Sequence, residues 1–451
     1  MYSTQIKTTQ QLLIKTHKSF NLINLLILAL FIVDFAFGRI YMANIGVGIF
    51  VERYQIVQHA IMQFAVVIMG YLILLGRYAL INKPISINKR HQAIFSALLL
   101  WLGISIISTF VGIYMGNNLN YIIGDFYKFI SLSGLFLLFY MAIKSTKELL
   151  FILNNIIILY TVFLSFYLML FLTNILPVHT LTSVGQYFPL ILPLLLYTVV
   201  ENKTTYVKVF GWVALFEIPL LIFFNQSFTL VINLLLIIII FSILNFKKIF
   251  KNAVLLLPVF FTLLLFFFIE GNIFFHLKDL IWRHEYHLFV RIEQVFKPSP
   301  IIEKIESIGG IRMPELICII ENIFDNPQKI VTGFGMGSYL TTYGIRKMHI
   351  KRTTHFIHPV FGEVIFRTGL PGLILFLYFI ILFIKKIYIN YNRHPLAILS
   401  LIFAIQLIFN CMIGTTSLNK PYLMFCLLFV GMLRLEEQHE YDNNIRNLSS
   451  H

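Results

Sequence analysis

The residues with chemistry to offer cluster between 270 and 368. Arg312 follows Gly309-Gly310 and precedes Pro314-Glu315. The run Gly333-Phe334-Gly335-Met336-Gly337-Ser338-Tyr339 comes next. After it, His358 opens the stretch to Gly372, which reads His-Pro-Val-Phe-Gly-Glu-Val-Ile-Phe-Arg-Thr-Gly-Leu-Pro-Gly. A neutral imidazole such as that of His358 takes a proton from a hydroxyl at physiological pH. A guanidinium pairs with phosphate oxygens at two points at once. Together these residue types suit group transfer from a phosphate-bearing ligand to a hydroxyl.

The local pattern says how they are held. Pro314 suits a first helical turn and Glu315 complements the helix start. Leu316, Ile319, Ile320 and Ile323 mark one apolar face, so a helix is predicted from Arg312 to about Phe324, ending before Asn326-Pro327. Arg312 then stands at a helix N-terminus, where free backbone N–H groups favour anions. Val360, Phe361, Val364 and Ile365 predict a second short helix at the membrane interface, with Gly369-Leu370-Pro371-Gly372 turning the chain into a span. His358 lies at its foot, and His355 shares its face if the helix begins early. Arg283, Arg291 and Arg367 are further candidates for the anion. The competing readings are solvated surface arginines and histidines, or attraction of a basic surface to lipid phosphates.

Gly333, Gly335 and Gly337 lack the strand–turn–helix context of a dinucleotide site and the Gly-Lys-Ser/Thr of a phosphate-cradling loop. They read as a tight passage where the chain packs closely, and they are placed with the substrate-binding candidates by their position.

The rest of the chain must position this segment. Of 451 residues, 58% are hydrophobic and 12% charged, half the charged share of soluble domains. Apolar stretches long enough to span a bilayer lie near 22–38, 60–80, 93–115, 125–143, 149–172, 185–200, 209–225, 228–245, 253–269, 369–384, 396–413 and 419–433. The expected fold is all-α: a polytopic membrane protein of about twelve spans, with one large periplasmic loop between the ninth and tenth. It divides into 1–269 (nine spans), 270–368 (the loop), 369–433 (three spans) and 434–451 (a polar tail, expected to be disordered and cytoplasmic).

Lys83, Lys89, Arg90, Lys144, Lys147, Lys203, Lys208, Lys247, Lys248, Lys251, Lys385, Lys386 and Arg393 fill every second connector. That is the positive-inside pattern. It puts both termini in the cytoplasm, the loop outside, and the net charge of +15 at membrane surfaces instead of on nucleic acid. The first span has no cleavage site and reads as retained. The three cysteines offer neither metal-ligand spacing nor a disulfide framework. Asp34 and Glu217 lie in spans and are kept out of the catalytic set.

At these residues the chain resembles the bacterial O-antigen ligases and O-antigen polymerases. The match covers roughly 200–390. It consists of Arg312 opening a loop helix, Asn326-Pro327 followed by Gly333 to Tyr339, and His358 before Gly369 and Gly372. The chain departs from the family in having Pro359 where asparagine is usual, Arg367 where an acidic residue two before the glycine is usual, and no tryptophan in the loop helix.

The resemblance implies a glycosyltransferase of the bacterial inner membrane with its active site facing the periplasm. The donor is a glycan on undecaprenyl diphosphate. The acceptor is another lipid-linked glycan for a polymerase, or lipid A–core for a ligase. The implied mechanism is inverting, without metal or cofactor; a chain-length regulator is a candidate partner. His358 and Arg312 are the implied catalytic pair. Ligases tend to carry Ser-Arg in the turn that here reads Asn225-Gln226-Ser227-Phe228, so polymerase is the leading reading. A flippase for the same lipid-linked glycan and a non-catalytic assembly scaffold are the rivals.

Overall fold

The computed structural model describes residues 24–32, 65–76, 88–173, 181–201, 204–225, 228–244, 312–343, 351–354, 357, 359–392, 394–413 and 419–449. The expected span at 253–269 lies outside them. Ahead of residue 88, 24–32 and Ala65–Gly76 are helical. The principal helices are α1 (Gln92–Tyr114), α2 (Leu119–Ala142), α3 (Thr146–Leu172), α4 (Leu181–Glu201), α5 (Thr205–Asn225) and α6 (Phe228–Leu244). The loop segment supplies α7 (Arg312–Phe324), α8 (Pro327–Thr332) and the strands β1 (Leu340–Tyr343) and β2 (Lys351–Thr354). The chain then continues through α9 (Val360–Asn390), α10 (Pro395–Ile413) and α11 (Asn419–Ser449).

Among the described residues, four helical segments are long and apolar enough to cross a membrane: Lys89–Tyr114, Leu119–Ala142, Thr146–Leu170 and Val360–Asn390. Helices satisfy their own backbone groups, which a bilayer requires. Leu99, Leu100, Ile107 and Phe110 of α1 face outward, while Leu98 and Trp101 are buried. An apolar exterior over an apolar interior fits a lipid environment.

Trp101 ties three helices together. It stacks on Phe129 of α2 at 5.5 Å, donates Nε1–H to the Phe129 carbonyl at 2.6 Å, and packs against Phe376 and Phe379 of α9. The indole thus buries its rings while its one polar group is met. α1 and α2 join through a tight turn. Gly116 adopts φ +71°, and the Asn118 side chain accepts from the Asn120 N–H to start α2, as an N-cap should.

α9 contains the break that its sequence announces. Gly369 has φ +71° and ψ −172°, and Pro371 follows, so the portions before and after the break are two helices end to end. α7 also forms as expected, but Ile320 is exposed, and the buried face is Glu315, Cys318, Ile319 and Ile323. The strands pair antiparallel with Leu340 opposite Thr354; this hairpin is an addition to the all-α expectation. α7, β1, Ile357 and Phe366 share a small core of their own.

The polar tail differs from expectation. Instead of a disordered end, 434–449 prolongs α11. The reason is ionic. Glu436 meets Lys386 at 2.5 Å, Glu437 meets Arg434 at 2.5 Å, and Glu440 meets Arg90. Arg434 also donates to the carbonyls of Ile143 and Tyr140 at 2.8 and 2.5 Å. Arg90, Ile143, Thr146 and Lys386 therefore share one end of the bundle with the start of this tail. The α1–α2 turn and the start of α9 share the other.

Candidate functional site: a loop clamped by buried charge

At that second end, four charged side chains are buried together. Asp125 and Lys128 sit a turn apart on α2, and Glu363 and Arg367 a turn apart on α9. None is more than 6% exposed. Arg367 Nε lies 2.9 Å from Asp125 Oδ2. Lys128 Nζ lies 3.0 Å from Glu363 Oε1 and 3.4 Å from Asp125 Oδ1. The two negative and two positive groups balance, which is what allows such burial.

The glycine run threads through this arrangement. The Gly337 N–H donates to Asp125 Oδ2 at 2.8 Å. Arg367 Nη1 donates to the Ser338 carbonyl and, at 2.6 Å, to Ser338 Oγ. Phe334 N–H donates to the Phe366 carbonyl at 2.8 Å, and Gly335 N–H to the Arg367 carbonyl at 3.2 Å. On the other side, Met336 N–H donates to the Ser108 carbonyl at 3.1 Å, and Asn117 Nδ2 to the Met336 carbonyl at 2.9 Å. Ser108 Oγ closes the circuit by donating to the Arg367 carbonyl at 2.6 Å.

Gly333, Gly335 and Gly337 have φ of +66°, +80° and +77°. A side chain at 333 would strike the Arg367 backbone, at 335 the backbone of Gly112, and at 337 Ile122. The tight passage is confirmed. What it packs against is the chain itself. Arg367 is 0% exposed, and its guanidinium is engaged by Asp125 and Ser338 as an internal clamp.

The backbone of Arg312 opens α7 as predicted. One face of α7 reaches the start of α9, where a Cβ at Gly362 would meet Ile319 Cδ1 at 2.9 Å. The element led by Arg312 and the one preceded by His358 are therefore packed together. Ile357 and Pro359 are both buried, and Pro359 leads into α9 with an extended backbone. His358, His355, Arg283 and Arg291 lie outside the described residues.

Sequence reasoning missed Asp125, Lys128, Glu363 and Ser338 as members of one site. A signal existed: Asp125 and Lys128 interrupt an otherwise apolar helix, and ionisable residues inside spans are functional or structural by default. Among the described residues no group of histidine, cysteine, aspartate and glutamate side chains is arranged to hold a metal ion.

Comparison with models of known families, with curated proteins and with solved structures finds no match. Fold and site define the class. This is a helical protein with apolar helices suited to a membrane, and a folded loop unit is clamped onto one end of the bundle by buried charge.

Proposed function

We propose that the protein transfers a glycan from undecaprenyl diphosphate to a hydroxyl acceptor at the outer face of the bacterial inner membrane, as a surface-polysaccharide polymerase. The observation that carries the proposal is the packing of α7 on the start of α9 at Gly362. It draws together the arginine-led helix and the histidine-preceded one, although the two are far apart in sequence. The resemblance described above supplies the reaction class.

In this reading His358 takes the proton of the acceptor hydroxyl as its oxygen attacks the anomeric carbon. The bond to the diphosphate oxygen breaks, and the lipid diphosphate leaves with the electron pair. Arg312, assisted by Arg291 or Arg283, stabilises the charge that develops there. The buried quartet holds the loop in register and does not touch the reacting atoms. The turn 225–228, without arginine, favours polymerase over ligation to lipid A–core.

Deleting the gene and examining the surface glycan tests the proposal. A polymerase leaves glycan one repeat long. Glycan accumulated on undecaprenyl diphosphate and missing from lipid A–core marks a ligase instead, and glycan trapped inside marks a flippase. His358→Ala should lower transfer by about a hundredfold or more, the usual worth of acid–base help. Arg312→Lys should restore little, because a point charge replaces a two-pronged fork. Full activity in the His358→Ala, His355→Ala and Arg312→Ala proteins defeats the enzyme reading.

A further inference from the structure

α7 carries two apolar faces. One, with Cys318, Ile319 and Ile323, is buried in the small core of the loop segment. The other is uncovered. Ile317, Ile320 and Phe324 are spaced three and four residues apart, so they share one stripe of the helix, and all three are exposed, Phe324 by 69%. Val331, near the end of α8, is exposed by 64%. The helix start that the sequence pointed to as interfacial behaves the other way: Val360 and Val364 of α9 are buried. One apolar face is enough to fold α7 onto its own core. A second one implies a second apolar surrounding.

Contacts with α1 and α9 give the level of this surface. A Cβ at Gly369 would strike the carbonyls of Ile330 and Val331, so the end of α8 lies against α9 at its break. One residue later an exposed stripe begins on α9, formed by Leu370, Ile374, Leu377 and Ile381. Ser108 Oγ reaches the Arg367 carbonyl at 2.6 Å, and Gly335 abuts Gly112. The break is therefore level with 108–112 of α1. There the outward residues are Phe110 and, a turn further, Ile113 and Tyr114, all exposed. The apolar exteriors of α1 and α9 thus both reach the level of Val331. A tyrosine at such an edge suits the boundary between bilayer and water.

The flank of the α7 stripe is acidic. Glu321 and Asp325 are exposed beside it. Attraction to anionic headgroups needs lysine and arginine, so burial of apolar surface is what this face has to offer a membrane.

We propose that α7 and the end of α8 lie in the headgroup–acyl boundary of the bilayer, with Ile317, Ile320, Phe324 and Val331 inserted into lipid. The occupant of this face is the same lipid that surrounds α1 and α9, because the exposed surfaces are continuous at the Gly369 break. The proposal goes beyond the glycan-transfer reading and does not depend on it.

Lipid quenching tests it in the full-length protein in phosphatidylcholine nanodiscs, with Cys318, Cys411 and Cys426 replaced by alanine. Ile320→Cys, Phe324→Cys and Val331→Cys each carry the environment-sensitive fluorophore NBD. All three positions are exposed, so the label leaves the packing intact. Ile374→Cys, on the exposed stripe of α9, is the lipid reference, and Tyr441→Cys, exposed in the prolonged α11, is the water reference. Phosphatidylcholine with a doxyl group near the headgroup should quench the three labels at least about twofold more than the label at 441, as insertion into the boundary requires.

Quenching no greater than at 441 overturns the proposal. Quenching at 331 without quenching at 320 and 324 overturns the placement of α7. Emission as blue-shifted as at 374 that doxyl lipid leaves unquenched assigns the face to a protein partner or a second copy, and overturns lipid as the occupant. Quenching that appears only after phosphatidylglycerol is added overturns apolar insertion in favour of charge attraction. Loss of glycan transfer on mutating His358 or Arg312 has no bearing on any of these readings, so the two proposals fail separately.

Discussion

Arg367 and Asp125 meet at 2.9 Å, each wholly shielded from solvent. One belongs to a helix before the long loop and the other to the helix after it. The same two side chains grip the glycine run between them, through Ser338 and the Gly337 N–H. A single ion pair thus fixes where the loop sits on the bundle.

Removing one partner leaves the other buried and uncompensated, at a cost of about 3–5 kcal/mol. Asp125→Ala and Arg367→Ala should each lower the midpoint of thermal unfolding in detergent markedly. The double variant should lose clearly less than the sum of the two, since neither charge is then stranded. Strict additivity in that cycle would mean that the pair does not couple loop to bundle.

Gly335 and Gly112 approach backbone to backbone. Gly335→Ala places a side chain both in a left-handed conformation and against α1. Gly112→Ala drives a methyl against the Met336 carbonyl. Either change should destabilise by about 1–3 kcal/mol, as overpacking does, with Gly335→Ala the worse because of its φ of +80°. Gly103→Ala, which meets nothing within 4 Å, should be close to neutral. Protease sensitivity of the loop reports the difference.

Topology can be read from two exposed positions. Asp325, in the turn after α7, and Tyr441, in the prolonged α11, are both exposed. With the native cysteines replaced, Asp325→Cys should react with an impermeant maleimide applied from the periplasmic side, and Tyr441→Cys only after the membrane is opened. The opposite pattern would place the loop in the cytoplasm and remove the basis of the proposed function. Ser338 suits this purpose poorly, because it is buried against Arg367.

His394 should set a local pH limit. Its Nδ1 accepts from the Leu396 N–H at 3.1 Å, capping α10, and an accepting Nδ1 requires the neutral ring. Burial, and secondarily the neighbouring His439, lower its pKa below the ordinary value of 6.5. The unfolded chain therefore binds the proton more readily. The stability from this group is complete above about pH 6.5 and is lost as the pH falls from there through the lowered folded value. His394→Asn keeps a capping acceptor and should flatten the acid side of the stability profile relative to the parent. An unchanged profile would show that His394 titrates normally.

Periodicity and punctuation made much of the architecture legible. The apolar stretches at 93–115, 149–172 and 396–413 became α1, α3 and α10 nearly residue for residue, because bilayer thickness and helical rise fix their length. The start of α7 at Arg312, its stop before Asn326-Pro327, and the break at Gly369 are local effects of proline and glycine, readable without any partner. The tightness of the glycine run was legible for the same reason: left-handed backbone is a property of the residue itself.

Partners were decided only by the tertiary structure. Arg367 looks like a loop cation free to meet an anion until Asp125 arrives from a helix on the other side of the loop. The tail from 434 looks too polar to order until Lys386, Arg90 and its own Arg434 pair its glutamates. Composition and spacing describe what a side chain could bind. Which groups are brought within a few ångströms, and shielded from water so that charge pairing is strong, depends on long-range packing that no local pattern carries.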